Sequence, residues 1–122
     1  MRLHKIINRV RNPISKDTEE FIEYLYDIED NGRPIGRVRF EIYNNLLFVT
    51  PIPITARLKD IKFLKSEVIR LGIEVMDKFY YDVAFVYTKN KKMIEVFKIP
   101  NLKFAELTHD GYYVYFIERE DL

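Results

Sequence analysis

The side chains able to do chemistry fall into a few groups. Glu23 and Glu41 flank an Asn31-Gly32 dipeptide, and a hairpin turning there would pair them across it, close enough to share a proton if buried. As exposed residues they would instead be cross-strand partners of Arg37 and Arg39. His109 stands beside Asp110, a pair that can act as a general base, although His109-Asp110-Gly111 is equally ordinary turn chemistry. Arg57, Lys59 and Lys62 could bind phosphate by side chain, and their plainer role is a solvated helix start. Lys89, Lys91 and Lys92 form a second cationic group, without the interleaved aromatics that single-stranded nucleic acid needs. Tyr112, Tyr113, Tyr115 and Phe116 make an aromatic stripe suited to a partner surface or to core. No His, Asp and Glu set has metal-ligand spacing, and there is no Gly-x-Ser-x-Gly elbow or nucleotide P-loop.

Positioning these residues falls to the elements between Leu46 and Asn90. The apolar run Leu46 to Thr50 leads through Pro51 and Pro53, which are expected to end a strand because proline cannot donate to a ladder. A helix follows, with Asp60 as its cap and Ile61, Leu64, Val68, Leu71, Val75 and Phe79 along one face. Gly72 inside it costs about 1 kcal/mol relative to alanine, which suggests close approach to another element. Val83 to Tyr87 is the next strand, giving a strand, crossover helix and parallel strand.

Upstream, Leu3 to Val10 fits both periods, with strand slightly favoured, and Asn12-Pro13 breaks it. Residues 19–29 also fit both periods, but they run into Asn31-Gly32, the strongest short hairpin signal, and Val38, Phe40 and Ile42 alternate beyond it. Asn44-Asn45 reads as another tight turn, completing a meander. Downstream, Met93, Ile94 and Phe97 mark a short helix stopped by Pro100-Asn101. Leu102 to Leu107 and Tyr112 to Glu118 form a second hairpin. Both faces of its last strand are apolar or aromatic, which calls for cover on both sides, by the chain's own helices or by another subunit. The fold class is therefore α+β, a mixed and mostly antiparallel sheet around a central strand-helix-strand unit.

Composition narrows the function. The 122 residues suit one domain, 1–122, with enough chain to bury a core. With 20 basic and 19 acidic side chains there is no global field to draw the protein to nucleic acid or a membrane. There is no cysteine, and no apolar run approaches the roughly 20 residues of a membrane span. The basic N-terminus has no apolar run after it, so it is not a signal peptide. The expectation is a soluble cytoplasmic protein, or a virion component if the source is viral.

The order of elements, with Val49-Thr50-Pro51 at a strand end and Asn90 to Leu102 carrying an Asn-led helix, resembles the GNAT superfamily of acyl-CoA N-acyltransferases over roughly residues 19–119. That family has a glycine-rich cradle for the coenzyme A pyrophosphate at a helix N-terminus. Here no glycine lies between Pro51 and Phe63, and the cradle positions fall on Arg57 and Lys59 or on Asp60 and Lys62, depending on register. Where many members have an acidic tyrosine this chain has Phe97, and Asn101 stands where glycine is usual, a mild change because Asn tolerates left-handed backbone.

The resemblance implies an N-acetyltransferase acting on an amine, with acetyl-CoA as cofactor and no metal. Phe48, Val49, Arg57, Lys59, Lys62 and Asn90 would be its cofactor-binding residues, the backbone N–H groups after Phe48 would polarise the thioester, and Glu41 would be the catalytic base. The alternative is a structural or protein-interaction module, for example a phage virion component, that keeps the scaffold without chemistry. Its partner, a protein or a second copy, would dock on the Tyr112 to Ile117 strand. No membrane is expected, and nucleic acid is disfavoured.

Overall fold

The computed structural model describes the backbone of residues 2–11, 18–55 and 57–122 and the side chains of 22–55 and 57–122. Four strands come first, β1 (Arg2–Arg11), β2 (Thr18–Asp30), β3 (Arg33–Tyr43) and β4 (Leu46–Pro53). They are followed by α1 (Leu58–Phe79), β5 (Val83–Thr88), α2 (Lys91–Phe97), β6 (Lys103–Leu107) and β7 (Tyr113–Glu118). The strands form one sheet in the order β1-β2-β3-β4-β5-β7-β6. Every pairing is antiparallel except β4 with β5. This is the mixed α+β sheet expected from the periodicities, with the strand reading correct for both ambiguous N-terminal segments. The Asn12-Pro13 break lies outside the described residues.

Local chemistry sets the meander. Asn31 and Gly32 have φ of 51° and 80°, and Asn44 and Asn45 have 51° and 60°. Both dipeptides thus meet the positive-φ demand of a tight hairpin turn with residue types that tolerate it. Asn101 has φ 65°, as its tolerance for left-handed backbone allows.

The prolines do not end β4, which continues to Pro53. Ile54 N–H donates to Ile35 C=O at 3.1 Å. By the alternation of an antiparallel ladder, the nitrogens of Ile52 and Thr50 also face β3, and those of Pro51 and Pro53 face the other way. On that other side β4 meets β5 only at Phe48↔Phe85 and Val49↔Val86. The prolines therefore remove no bond from the β3 ladder and simply leave the β5 edge unpaired beyond Val49.

One face of the sheet carries the core. Val38, Phe40, Leu47, Val49, Ala84, Val86 and Ile117 pack with Leu64, Val68, Leu71, Val75 and Met76 of α1, and Phe97 of α2 joins the same cluster. Both helices therefore lie on this face. No described helix lies on the other, where Phe48, Phe85, Tyr87, Val114 and Phe116 are half-buried. The expected two-sided cover of the last strand is thus supplied on one side only.

Close approach, expected at Gly72, occurs at Gly36. A Cβ on Gly36 would stand 2.7 Å from Leu64 Cδ2 and 3.0 Å from Ile52 C=O, whereas one on Gly72 would meet nothing nearer than Phe40 Cε1 at 3.9 Å. Gly72 also lines a small internal cavity of about 40 Å³. Urea denaturation should therefore find Gly72→Ala more stable by about 0.5–1 kcal/mol, as in a helix interior with room for a methyl. Gly36→Ala should be less stable by about 1–3 kcal/mol through overpacking.

Candidate functional site

The helix-free face holds a cavity of about 500 Å³ where β4 and β5 part. Its walls come from both halves of the sheet: Glu41 and Tyr43 of β3, Phe48 of β4 and Tyr87 of β5, with Thr108, Asp110, Tyr112 and Val114 from the β6–β7 hairpin. Strand alternation explains the selection, since Val49 and Val86 point into the core and their neighbours Phe48 and Tyr87 point away. The rings tilt on one another, Phe48 to Tyr87 at 5.5 Å and 86°, and Tyr87 to Tyr112 at 5.4 Å and 54°.

Glu23 and Glu41 are directly opposed across β2 and β3, as the turn requires. Their environments differ. Glu23 pairs with Arg39 at 3.3 Å, the cross-strand role expected of it. Glu41 instead accepts a hydrogen bond from the Tyr87 hydroxyl at 3.3 Å. Burial pushes the Glu41 carboxyl above the usual carboxylate range, opposed by Arg39 and by the Tyr87 hydrogen bond and reinforced by Glu23. Burial, followed by the Glu41 charge, likewise raises Tyr87. The result is a half-buried carboxylate held by a phenol on the wall of an aromatic cavity, an arrangement able to accept a proton from a bound cation.

Around the parting of the strands the backbone is less generous. The N–H of Val49 faces β5 within the short ladder, and the next position facing the gap is Pro51, which has no N–H. Of the positions just after Phe48, Val49 is the one whose N–H faces β5. The Val49 side chain is core, 6% exposed. Thr50 Oγ1 is buried without a hydrogen-bond partner among the described residues, leaving a polar atom beside the gap.

The start of α1 is the second candidate region. Asp60 is not the cap: the helix begins at Leu58 with Arg57 as N-cap residue. The Asp60 carboxylate is 1% exposed and receives Arg33 through Nη1 at 2.8 Å and Nη2 at 2.7 Å, with the Thr55 hydroxyl donating at 3.2 Å. Arg57 Nε stands 3.9 Å away. The two-pronged Arg33 contact, aided by Thr55, lowers the Asp60 pKa from 3.8 to about 2 against the effect of burial. Arg57, Lys59 and Lys62 lie at the start of α1 and are exposed.

Asn90 opens α2, where its N–H donates to Thr88 Oγ1 at 2.9 Å, and is not part of the cavity wall. Lys89 lies over the Tyr112 ring at 4.9 Å and Lys91 over Tyr113 at 5.7 Å. His109 is exposed, and Phe97 is 2% exposed in the core. Sequence reasoning missed Tyr43 and Tyr87 as cavity residues and Arg33 as the partner of Asp60. The signal for Tyr87 was present, because alternation sets it on the face opposite Val86.

No family model and no curated protein matches the chain. Solved structures do. A domain from Methanocaldococcus jannaschii is similar with TM-score 0.59 and 12% identity, covering 96% of this chain and 99% of that one. An acetyltransferase from Bacillus cereus gives TM-score 0.57 at 12% identity over 79% of this chain and 71% of its own. An N-acetyltransferase from Thermoplasma acidophilum, solved in complex with coenzyme A, gives 0.53 at 12% identity over 80% and 59%. The likeness is one of fold, and the chain has the fold of the GNAT acetyltransferases. No described helix is long and apolar enough to cross a membrane.

Because the Asp60 pKa is depressed on folding, its ionised form stabilises the protein fully above 3.8, and that contribution is lost as pH falls towards about 2. Thermal melts across this acid range should show a fall in midpoint that is flattened in Asp60→Asn. Arg33→Ala should lose several degrees at neutral pH, because it strips the buried Asp60 carboxylate of its two-pronged partner.

Proposed function

We propose that this GNAT-fold chain is an N-acyltransferase that takes its acceptor amine into the cavity beside Glu41, with acetyl-CoA as donor. The observation that carries the reading is Glu41: a half-buried carboxylate with a raised pKa, on the wall of a cavity at the point where β4 and β5 separate. An amine reaches the site as an ammonium ion and attacks only as the free base. A carboxylate shifted towards neutrality is better matched to remove that proton than an ordinary one. Tyr87 orients the carboxylate through its hydroxyl.

Acetyl-CoA would supply the acyl thioester. Arg57, Lys59 and Lys62 would hold its phosphates by side chain, since the helix start has no glycine and already faces Asp60. The Thr50 hydroxyl and the Val49 N–H are the polar groups of β4 beside the gap, and Asn90 opens the helix after β5.

A second reading is favoured by one observation, the Asp60 carboxylate at the helix start where a phosphate would otherwise bind. It is a structural or protein-interaction module, for example a virion component, that docks a partner or a second copy through the Tyr112 to Ile117 strand.

Calorimetric titration with acetyl-CoA separates the two. Saturable binding weakened by Arg57→Ala or Lys59→Ala is expected for the transferase, and no heat at millimolar ligand leaves only the module. If turnover is found with any amine, Glu41→Gln should lower kcat by about a hundredfold or more. The acid limb of the rate profile should lie above the ordinary carboxylate value of 4.5. Tyr87→Phe should move that limb higher still, because the lost hydrogen bond is one that lowers the Glu41 pKa.

A further inference from the structure

The cavity beside Glu41 is more selective than the word amine implies. Among the described residues its carboxyl groups are those of Glu41 and Asp110, and no described Lys, Arg or His lines it. Two cations stand near it without lining it. Arg39 pairs with Glu23 at 3.3 Å, and the Lys89 ammonium rests over the Tyr112 ring at 4.9 Å. An anionic group on a ligand would face two carboxylates and no cation of the described wall. The rest of the wall is Tyr43, Phe48, Tyr87, Tyr112 and Val114, whose rings offer contact area and attraction for a cation but few hydrogen-bond partners. A polyhydroxylated body would outnumber the hydroxyls of the wall, and a tricationic one such as spermidine would carry more ammonium groups than the two carboxylates can pair. At about 500 Å³ the space is that of a single small molecule.

From this constellation we infer that the cavity takes a compact monoamine with an aromatic or otherwise apolar body and no carboxylate or phosphate, its ammonium directed to Glu41 and its body against Phe48 and Tyr112. The inference rests on the acceptor-cavity reading above and adds the class of ligand.

The test uses three probes on the whole chain without acetyl-CoA: phenethylamine, phenylalanine, which is the same body with a carboxylate added, and spermidine. Backbone amide NMR titration reads both affinity and place. Phenethylamine should bind saturably, with shifts at Tyr87 and along the Thr108 to Val114 hairpin. Phenylalanine and spermidine should each bind at least about tenfold more weakly. Glu41→Gln and Phe48→Ala, checked for unchanged melting, should each weaken phenethylamine by about tenfold. Equal or tighter binding of phenylalanine or spermidine overturns the inference on the unmodified protein. So does absence of phenethylamine binding, or binding that is indifferent to Glu41→Gln. Amine binding without any acyl transfer leaves the inference standing while the transferase reading falls. Transfer to anionic or polycationic amines alone does the reverse.

Discussion

Two residue pairs, Phe48 with Phe85 and Val49 with Val86, are all the ladder that joins the β1–β4 meander to the β5, β7 and β6 half of the sheet. Beyond them Pro51 and Pro53 present no donor to β5, so the halves separate while β4 stays fully paired to β3. What keeps the halves in register is α1, whose buried stripe lies across both. Leu64, Val68, Leu71, Val75 and Met76 belong to one apolar cluster with β3, β4, β5 and β7. A junction this short, held by packing on one face, leaves a gap on the other face without breaking the sheet.

That asymmetry decides where chemistry can sit. On the helix face the buried strand positions are apolar apart from Thr88, and Phe97 is spent on packing. On the opposite face no described helix intervenes, so the alternate residues of the same strands, Glu41, Phe48 and Tyr87, are only half-covered and line a cavity. Burial there is enough to raise a carboxyl pKa and not enough to exclude a ligand. The described core lies on the other side of the sheet.

At the start of α1 a different balance holds. The helix N-terminus attracts negative charge, and this chain supplies its own in Asp60, tied to Arg33 from the far end of β3. The ion pair links the first hairpin to the crossover helix. It also satisfies the helix end from within, while Arg57, Lys59 and Lys62 are exposed around it.

Most of the fold was legible in the sequence because it rests on local chemistry. Asn-Gly and Asn-Asn dictated the turns through positive φ, alternation dictated which strand residues share a face, and the 3.6-residue period dictated the buried stripe of α1. From alternation and turn position alone, Glu23 and Glu41 could be set opposite one another. Tertiary structure decided the rest. Whether Pro51 ends β4 depends on which neighbour its nitrogen faces, whether a glycine marks close approach depends on what packs above it, and whether Asp60 caps a helix or binds Arg33 depends on a hairpin 27 residues away. The sequence offered Glu41 as a base only through a resemblance, and its half-burial beside Tyr87, 46 positions later, came from the tertiary structure, because a pKa is set by burial and by neighbours, and neither is a property of a residue's place in the chain.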